Sequence, residues 1–251
     1  MYLEFAITNP KIDKVYCWEK SFRRERADFR HLPEFTHIEF EGNIPFEENL
    51  KFQVRYVQFL VQSLTKNVQG DLKVFLKEND IELLDSFSKI KKFEKIKFVD
   101  AFKLMYNKTG DPKYKVPTLR KFGAYEEVLL TEIIDGPVFV TEYIEEEVAF
   151  YHAKVSPRRK FVRNADFLFP GYGEFIGSGE RVHTRKETIE KVKHFKLNMK
   201  DYQPYIDSRT GKIKIHSGWG MGVERFIQAV LKLPFIWEAK PFPRVDNQYH
   251  P

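Results

Sequence analysis

The chain has 251 residues, 42% of them hydrophobic, with 24 Phe and 12 Tyr; that is enough apolar material for a sizeable core and excludes a disordered chain. Lys and Arg outnumber Asp and Glu by 42 to 36, a net charge of +6, which permits a polyanionic or phosphate-bearing partner without demanding one. The single cysteine, Cys17, excludes an internal disulfide framework and a multi-cysteine zinc site, and no apolar run reaches the ~18 residues of a membrane span.

The N-terminus also lacks the basic region and apolar stretch of a signal peptide, so the expectation is a soluble, cytoplasmic protein with no membrane partner. In chain order, residues 1–41 read as β structure. Val15 to Trp18 is a short apolar run, with Cys17 read as a core residue. His37 to Glu41 alternates, Ile38 and Phe40 on one face, His37, Glu39 and Glu41 on the other. The charged stretch 21–35 reads as the loop of an antiparallel pair, either simply solvated or aiming arginines at an anion. Leu50, Val54, Val57, Val61 and Leu64 recur at helical spacing and predict a helix over 46–68. Shorter helical patterns follow over 72–76, 81–87 and 98–105. The stretch 109–117, with Gly110, Pro112 and Pro117, predicts a loop or mobile flap.

A helix is expected over 125–130, then strands over 138–143, 148–153 and 165–169, the last broken by Pro170-Gly171-Tyr172-Gly173. A charged helix over 186–196 and a final one over 223–233, stopped by Pro234, complete the chain. Strand–turn–strand units favour an α+β (mixed α/β) fold, a largely antiparallel sheet with helices packed on it, in a single domain over 1–251.

Three constellations carry chemistry. Arg23 and Glu25 precede His31 and Phe35 at the entry to a strand. Asp166 and Glu174 lie around the end of an apolar strand, followed by Gly177-Ser178-Gly179 and Arg181. Gly218-Trp219-Gly220-Met221-Gly222-Val223-Glu224-Arg225 alternates glycine with larger residues and runs into a helix. Taken alone, that octapeptide suits either a glycine-kinked strand or a backbone against which a nucleotide lies, with an arginine for its phosphates. Likewise Asp166 suits a strand-end cap or a metal ligand, and His31 and Arg181 suit a solvated surface or a site.

In order and residue type, these constellations resemble class II aminoacyl-tRNA synthetases. Phe22-Arg23-x-Glu25 followed by Arg30-His31-Leu32-x-Glu34-Phe35 is similar to motif 2 of that class, and Gly218-x-Gly220-x-Gly222-x-Glu224-Arg225 to motif 3. The aspartyl/asparaginyl subgroup fits best. Within it the asparaginyl enzymes are closer, on the strand Pro137-Val138-Phe139-Val140-Thr141-Glu142-Tyr143, the Pro-Gly-x-Gly turn between Asp166 and Glu174, and His216-Ser217-Gly218.

The resemblance implies a class II-like antiparallel sheet flanked by helices, with ATP and Mg²⁺ as cofactors. Arg23 would clamp the α-phosphate and the amino-acid carboxylate. Glu25 would hold the adenine amino group, Phe35 would stack on the ring, and His31 would approach the γ-phosphate. Arg225 would cover the other face of adenine, and Gly218, Gly220 and Gly222 would let backbone lie against ribose and base. Asp166 and Glu174 would bind the metal, and Arg181, with Ser178, would read aspartate or asparagine. The implied partners are that amino acid, tRNA or ammonia as acceptor, and a second copy in a homodimer.

Departures from the family pattern matter. Relative to the family the chain begins inside the catalytic domain, so the expectation is a truncated core without the anticodon-binding OB-fold or the motif 1 dimer element. Tyr125 stands where the family has an acid, and Val148 where it has a basic residue. The expected activity is adenylate formation from aspartate or asparagine, with a tRNA-independent asparagine synthetase as one version. A non-catalytic paralogue that binds nucleotide or a protein partner is the alternative.

Overall fold

A computed structural model describes residues 2–91, 93–209 and 213–245. The elements run α1 (Tyr2–Ile7), β1 (Lys14–Phe22), β2 (Glu34–Gly42), α2 (Phe46–Asn67), α3 (Gln69–Phe75), α4 (Glu78–Ser88), β3 (Glu94–Lys97), α5 (Phe98–Thr109), α6 (Ala124–Ile134), β4 (Val138–Thr141), β5 (Asn164–Phe169), β6 (Gly173–Glu180), α7 (Arg185–His194), α8 (Gln203–Asp207), β7 (Ser217–Gly222) and α9 (Val223–Leu231). One seven-stranded sheet has the order β1-β2-β7-β6-β5-β4-β3. All pairs are antiparallel except β3 with β4, which are joined through helices as a parallel pair must be.

The two faces of the sheet differ. Phe40, Phe139, Phe167, Ile176, Trp219 and Met221 pack with Leu50, Val57 and Val61 of α2 and with Phe226 and Val230 of α9. On the strands these residues alternate with Glu39, Glu41, Asp166, Gly177, Gly218 and Gly220, which therefore face the opposite side. A second cluster, of Phe98, Phe102 and Tyr114 with Val138, Val140 and Leu168, covers only the β4–β5 end of that side. The central strands are left open there, and both cavities described below lie over them. Among the described residues no helix is long and apolar enough to cross a membrane.

The mixed, mainly antiparallel architecture agrees with expectation; several local features do not. Residues 2–7 form a helix rather than a strand, held by buried Glu4. Cys17 is half-buried on the edge strand rather than in the core, its thiol against Glu39 at 3.8 Å. The expected strand over 148–153 is irregular, touching the sheet only through isolated bridges such as His152 to Arg181. Two acids pull this segment away from a ladder. Glu145 pairs with Lys191 (2.6 Å) and Lys154 (2.7 Å), while Glu147 binds the Thr118 hydroxyl and the Leu119 N–H. The stretch 109–117 is a loop, as expected, and is fastened by a 3-10 turn, with Tyr114 buried against Phe102. Glu94–Lys97, a strand with no expected counterpart, is charged at its exposed edge and so carries little apolar periodicity.

Candidate active site

The β1–β2 hairpin places the first group of residues. Arg23 N–H donates to the Pro33 carbonyl at 2.9 Å and closes the loop. Inside the loop the Asp28 carboxylate accepts from the backbone of Arg30 and His31, both at 2.8 Å, and from the His31 ring at 2.9 Å, an Asx-type turn that holds His31 in place. The Arg23 guanidinium lies 5.2 Å from the Phe35 ring centre and 4.0 Å from Glu25. Glu224, at the start of α9, is buried and accepts from Thr36 N–H (2.8 Å) and the Thr36 hydroxyl (3.0 Å). The helix after the glycine strand is thereby tied to β2. Arg23, Glu25, His31, Phe35, Glu174, Gly220, Gly222 and Arg225 all line this cavity.

A β-bulge supplies the carboxylates at the cavity's centre. The register of β5 and β6 shifts between Phe167 and Leu168, so that Leu168 faces Glu174. Phe175 and Ile176 consequently both point into the core, and Glu174 turns to the open face with Asp166 and Gly177. Burial pushes the Asp166 carboxyl well above its ordinary range, and the neighbouring Glu174 charge adds to this. Burial also raises Glu174, but Arg225, Arg30 and Arg23 outweigh it and hold Glu174 below its usual value. Arg225 donates to the Glu174 carboxylate at 2.9 Å and to its carbonyl at 3.1 Å. Buried Arg30 pairs with Glu127 at 2.8 Å, and Glu127 accepts from Glu174 N–H at 2.7 Å. Two adjacent half-buried carboxylates that repel one another suit a hard divalent cation, with phosphate oxygens completing its shell.

A second cavity adjoins the first and shares Arg23, His37, Glu174 and Gly220 with it. It contains Asp166, Ser178 and Arg181 together with Glu39, Glu41, Tyr143, Tyr151 and His152. Arg181 donates from Nε to Glu41 at 3.2 Å and lies 5.0 Å from the Tyr151 ring centre. Burial, together with the charge of Glu4, pushes the Glu41 carboxyl up against the pull of Arg181. Glu41 Oε1 is buried and makes no hydrogen bond. Ser178 donates its hydroxyl to the Ala165 carbonyl at 2.9 Å, fastening β6 to β5. Behind the cavity, Glu4 binds Arg209, His216 (3.0 Å) and the Tyr205 hydroxyl (2.8 Å).

Gly218 stands apart from the other motif glycines. A Cβ there would run into the Glu41 carboxylate and the Phe40 carbonyl, whereas Gly220 and Gly222 have room above them. Gly218 lines neither cavity and serves to admit Glu41. Sequence reasoning passed over Arg30, His37, Glu41, Glu127, Tyr143, His152 and Glu224 as site residues. For His37, Glu39 and Glu41 a signal existed: they share the face of β2 that lies against glycines, His37 opposite Gly222, Glu39 opposite Gly220 and Glu41 opposite Gly218.

Comparisons with known proteins accord with this geometry. The family model described as tRNA synthetases class II (D, K and N) matches residues 1–246. The asparagine–tRNA ligase of Roseiflexus sp. is 35% identical over 256 residues, covering 100% of this chain and 57% of its own length. That of Herpetosiphon aurantiacus is 32% identical over 259 residues, covering 100% and 58%. Among solved structures, asparaginyl-tRNA synthetase from Pyrococcus horikoshii complexed with asparaginyl-adenylate superposes with a TM-score of 0.89 at 32% identity, over 100% of this chain and 56% of that one. The Entamoeba histolytica asparaginyl-tRNA synthetase with asparaginyl-adenylate gives 0.86 at 26%, over the same shares. The chain thus spans a little over half the length of the relatives it matches.

Proposed function

Because the chain belongs to the class II tRNA synthetases of the D, K and N group, we propose that it is an ATP- and Mg²⁺-dependent ligase that activates asparagine as its adenylate. The observation that carries this reading is the continuity of the two cavities through Arg23 and Glu174. One has arginines and motif glycines suited to a nucleotide, the other an arginine paired with a buried carboxylate, suited to a small polar side chain. In the reaction a carboxylate oxygen of the amino acid attacks the α-phosphorus of ATP in line, the bond to the bridging oxygen breaks, and pyrophosphate leaves. Arg23, at the junction, holds the carboxylate against the α-phosphate and stabilises the charge that builds on phosphorus. Phe35, Glu25, Gly220 and Gly222 seat the base and ribose, and His31 and Arg225 meet the distal phosphates. Asp166 and Glu174 would hold Mg²⁺, which neutralises charge on the phosphate oxygens.

Asparagine is favoured over aspartate by Glu41. A carboxamide presents an oxygen to Arg181 and an N–H to the unpartnered Glu41 Oε1. A side-chain carboxylate would instead meet a second acceptor and like charge. This speaks against the version in which aspartate is activated and passed to ammonia. Transfer to tRNA, a cytoplasmic setting and a homodimer follow from the family reading; the dimer is tested by the mass of the particle in solution. The experiment for the activity is amino-acid-dependent exchange of pyrophosphate into ATP, with exchange expected for asparagine. Exchange with aspartate alone would restore the synthetase version. Nucleotide binding without exchange for either amino acid would support the non-catalytic paralogue.

A further inference from the structure

Gly179 of β6 and Gly218 of β7 are direct partners across the two strands. Each lacks a Cβ for the same reason. At Gly218 the atom would strike the Glu41 carboxylate, and at Gly179 it would strike the imidazole of His152. Two polar side chains thus lie over adjacent strands at one level of the sheet, and Arg181 is two residues along from Gly179 on the same face. The backbone holds His152 there from several directions. Ala153 N–H donates to the Glu180 carbonyl at 2.8 Å, Val182 N–H to the Tyr151 carbonyl at 2.9 Å, and the buried Lys191 ammonium to the His152 carbonyl at 2.8 Å. His152 lines the second cavity and is 8% exposed, and its Nδ1 is buried with no hydrogen bond among the described residues.

We infer that His152 is a specificity-determining residue of this cavity, accepting the second N–H of a substrate carboxamide whose first goes to Glu41. The inference rests on the adenylate-forming reading above. Burial, then the cations Arg181 and Lys191, hold the ring neutral, so one ring nitrogen is an acceptor. A carboxamide offers one acceptor and two donors. Arg181, Glu41 and His152 offer the complement: a donor and two acceptors. Aspartate supplies no N–H, leaving both acceptors unpaired in a buried site, where that loss is costly.

The test uses the full chain as His152→Leu, which keeps side-chain bulk over Gly179, and His152→Gln, which restores an acceptor. Asparagine and aspartate binding are measured by calorimetry without ATP, KM values for asparagine and ATP by pyrophosphate exchange, and folding by thermal melting. For His152→Leu we expect asparagine affinity to fall about 10- to 100-fold, with KM for ATP within about twofold of wild type and weaker discrimination against aspartate. His152→Gln is expected to recover most of the loss. Unchanged asparagine affinity in a folded His152→Leu overturns the inference. So does a parallel rise in both KM values, or a His152→Gln that is no better than His152→Leu; if His152→Leu does not fold, a His152→Gln that binds asparagine as weakly as aspartate overturns it. Wild-type protein that exchanges nothing, yet binds asparagine more tightly than His152→Leu does, removes the adenylate reading and supports this one. Wild-type protein that binds neither amino acid overturns both.

Discussion

Across the junction at Arg23 and Glu174, two differently built cavities meet. On the proposed nucleotide side, Arg23 is half exposed, with one loose partner at 4.0 Å, and a Cβ at Gly220 or Gly222 would make only ordinary contacts with the Glu39 or Arg225 side chain. On the proposed amino-acid side, Glu41, His152 and Glu4 are buried and Arg181 largely so, and the charges of Arg181, Glu41 and Glu4 have partners already in place. A large ligand that brings its own phosphates needs mobile cations and a bare backbone. A small ligand distinguished by one polar group needs its partners fixed beforehand, because a buried site that is rigid penalises the wrong hydrogen-bonding pattern. The first kind of cavity loses activity without stability when mutated; the second couples the two.

The largest test of that contrast is Glu4, behind the amino-acid cavity. Glu4→Ala leaves Arg209 buried without its partner and should destabilise the chain by about 3–5 kcal/mol, read by denaturant unfolding. Acid provides a second reading. Although burial alone raises the Glu4 carboxyl, the His216 hydrogen bond with the Arg181 and Arg209 charges lowers it from 4.5 to about 2. The stabilisation is therefore fully present above pH 4.5 and is lost as pH falls from 4.5 toward 2, roughly 3 kcal/mol in all. Glu4→Gln should lack that step. An unchanged acid profile in Glu4→Gln would mean that the network is not held together by this carboxylate.

Arg23→Ala should do the opposite, lowering the exchange rate about 10²–10³-fold while the melting temperature stays within about 1 °C, since a half-exposed ion pair contributes little to stability. A melting temperature that falls with the rate would erase the distinction between the cavities. Asp166→Asn sharpens it at the junction. Magnesium-dependent exchange should drop by about 10²-fold or more, while the ligand-free protein melts no lower than wild type, because a carboxylate repelled by Glu174 has gone. The smallest effects compare two glycines of one strand. Gly218→Ala should cost about 1–3 kcal/mol through its clash with Glu41, and Gly222→Ala, whose Cβ would only touch the Arg225 side chain without a clash, within about 0.5 kcal/mol. Equal losses at the two positions would contradict the assignment of Gly218 to the Glu41 side.

Residues of the nucleotide side were legible because they are close in sequence and unusual in type. An arginine-rich hairpin loop and an alternating glycine strand are local patterns, and all but Gly218 of the residues expected to hold ATP line one cavity. The amino-acid side was less legible. Glu41 showed only as one polar position of an alternating stretch, His152 sat in a segment expected to be a strand, and Glu4 lay in a helix expected to be β structure. Each takes its role from a partner far along the chain: Glu41 from Arg181, His152 from Gly179, Glu4 from Arg209 and His216. The alternation of β2 was readable, but which of its two faces meets a cavity was not.

Periodicity and residue type, read without coordinates, determined the antiparallel framework, the long helix α2, and the glycine strand leading into α9 with the arginine that follows it, because those features are local properties of the backbone and of side-chain type. Three things were decided only by tertiary structure. The bulge at Phe167–Leu168 turned Glu174 out of the core to face Asp166. The pairing of β6 with β7 set Gly179 against Gly218 and so brought His152 and Glu41 side by side. The folding of α1 against α8 and against His216, just before β7, buried Glu4 behind Arg181. A strand register or a helix docking depends on contacts summed over many residues of several segments, and no single stretch of the sequence carries that sum.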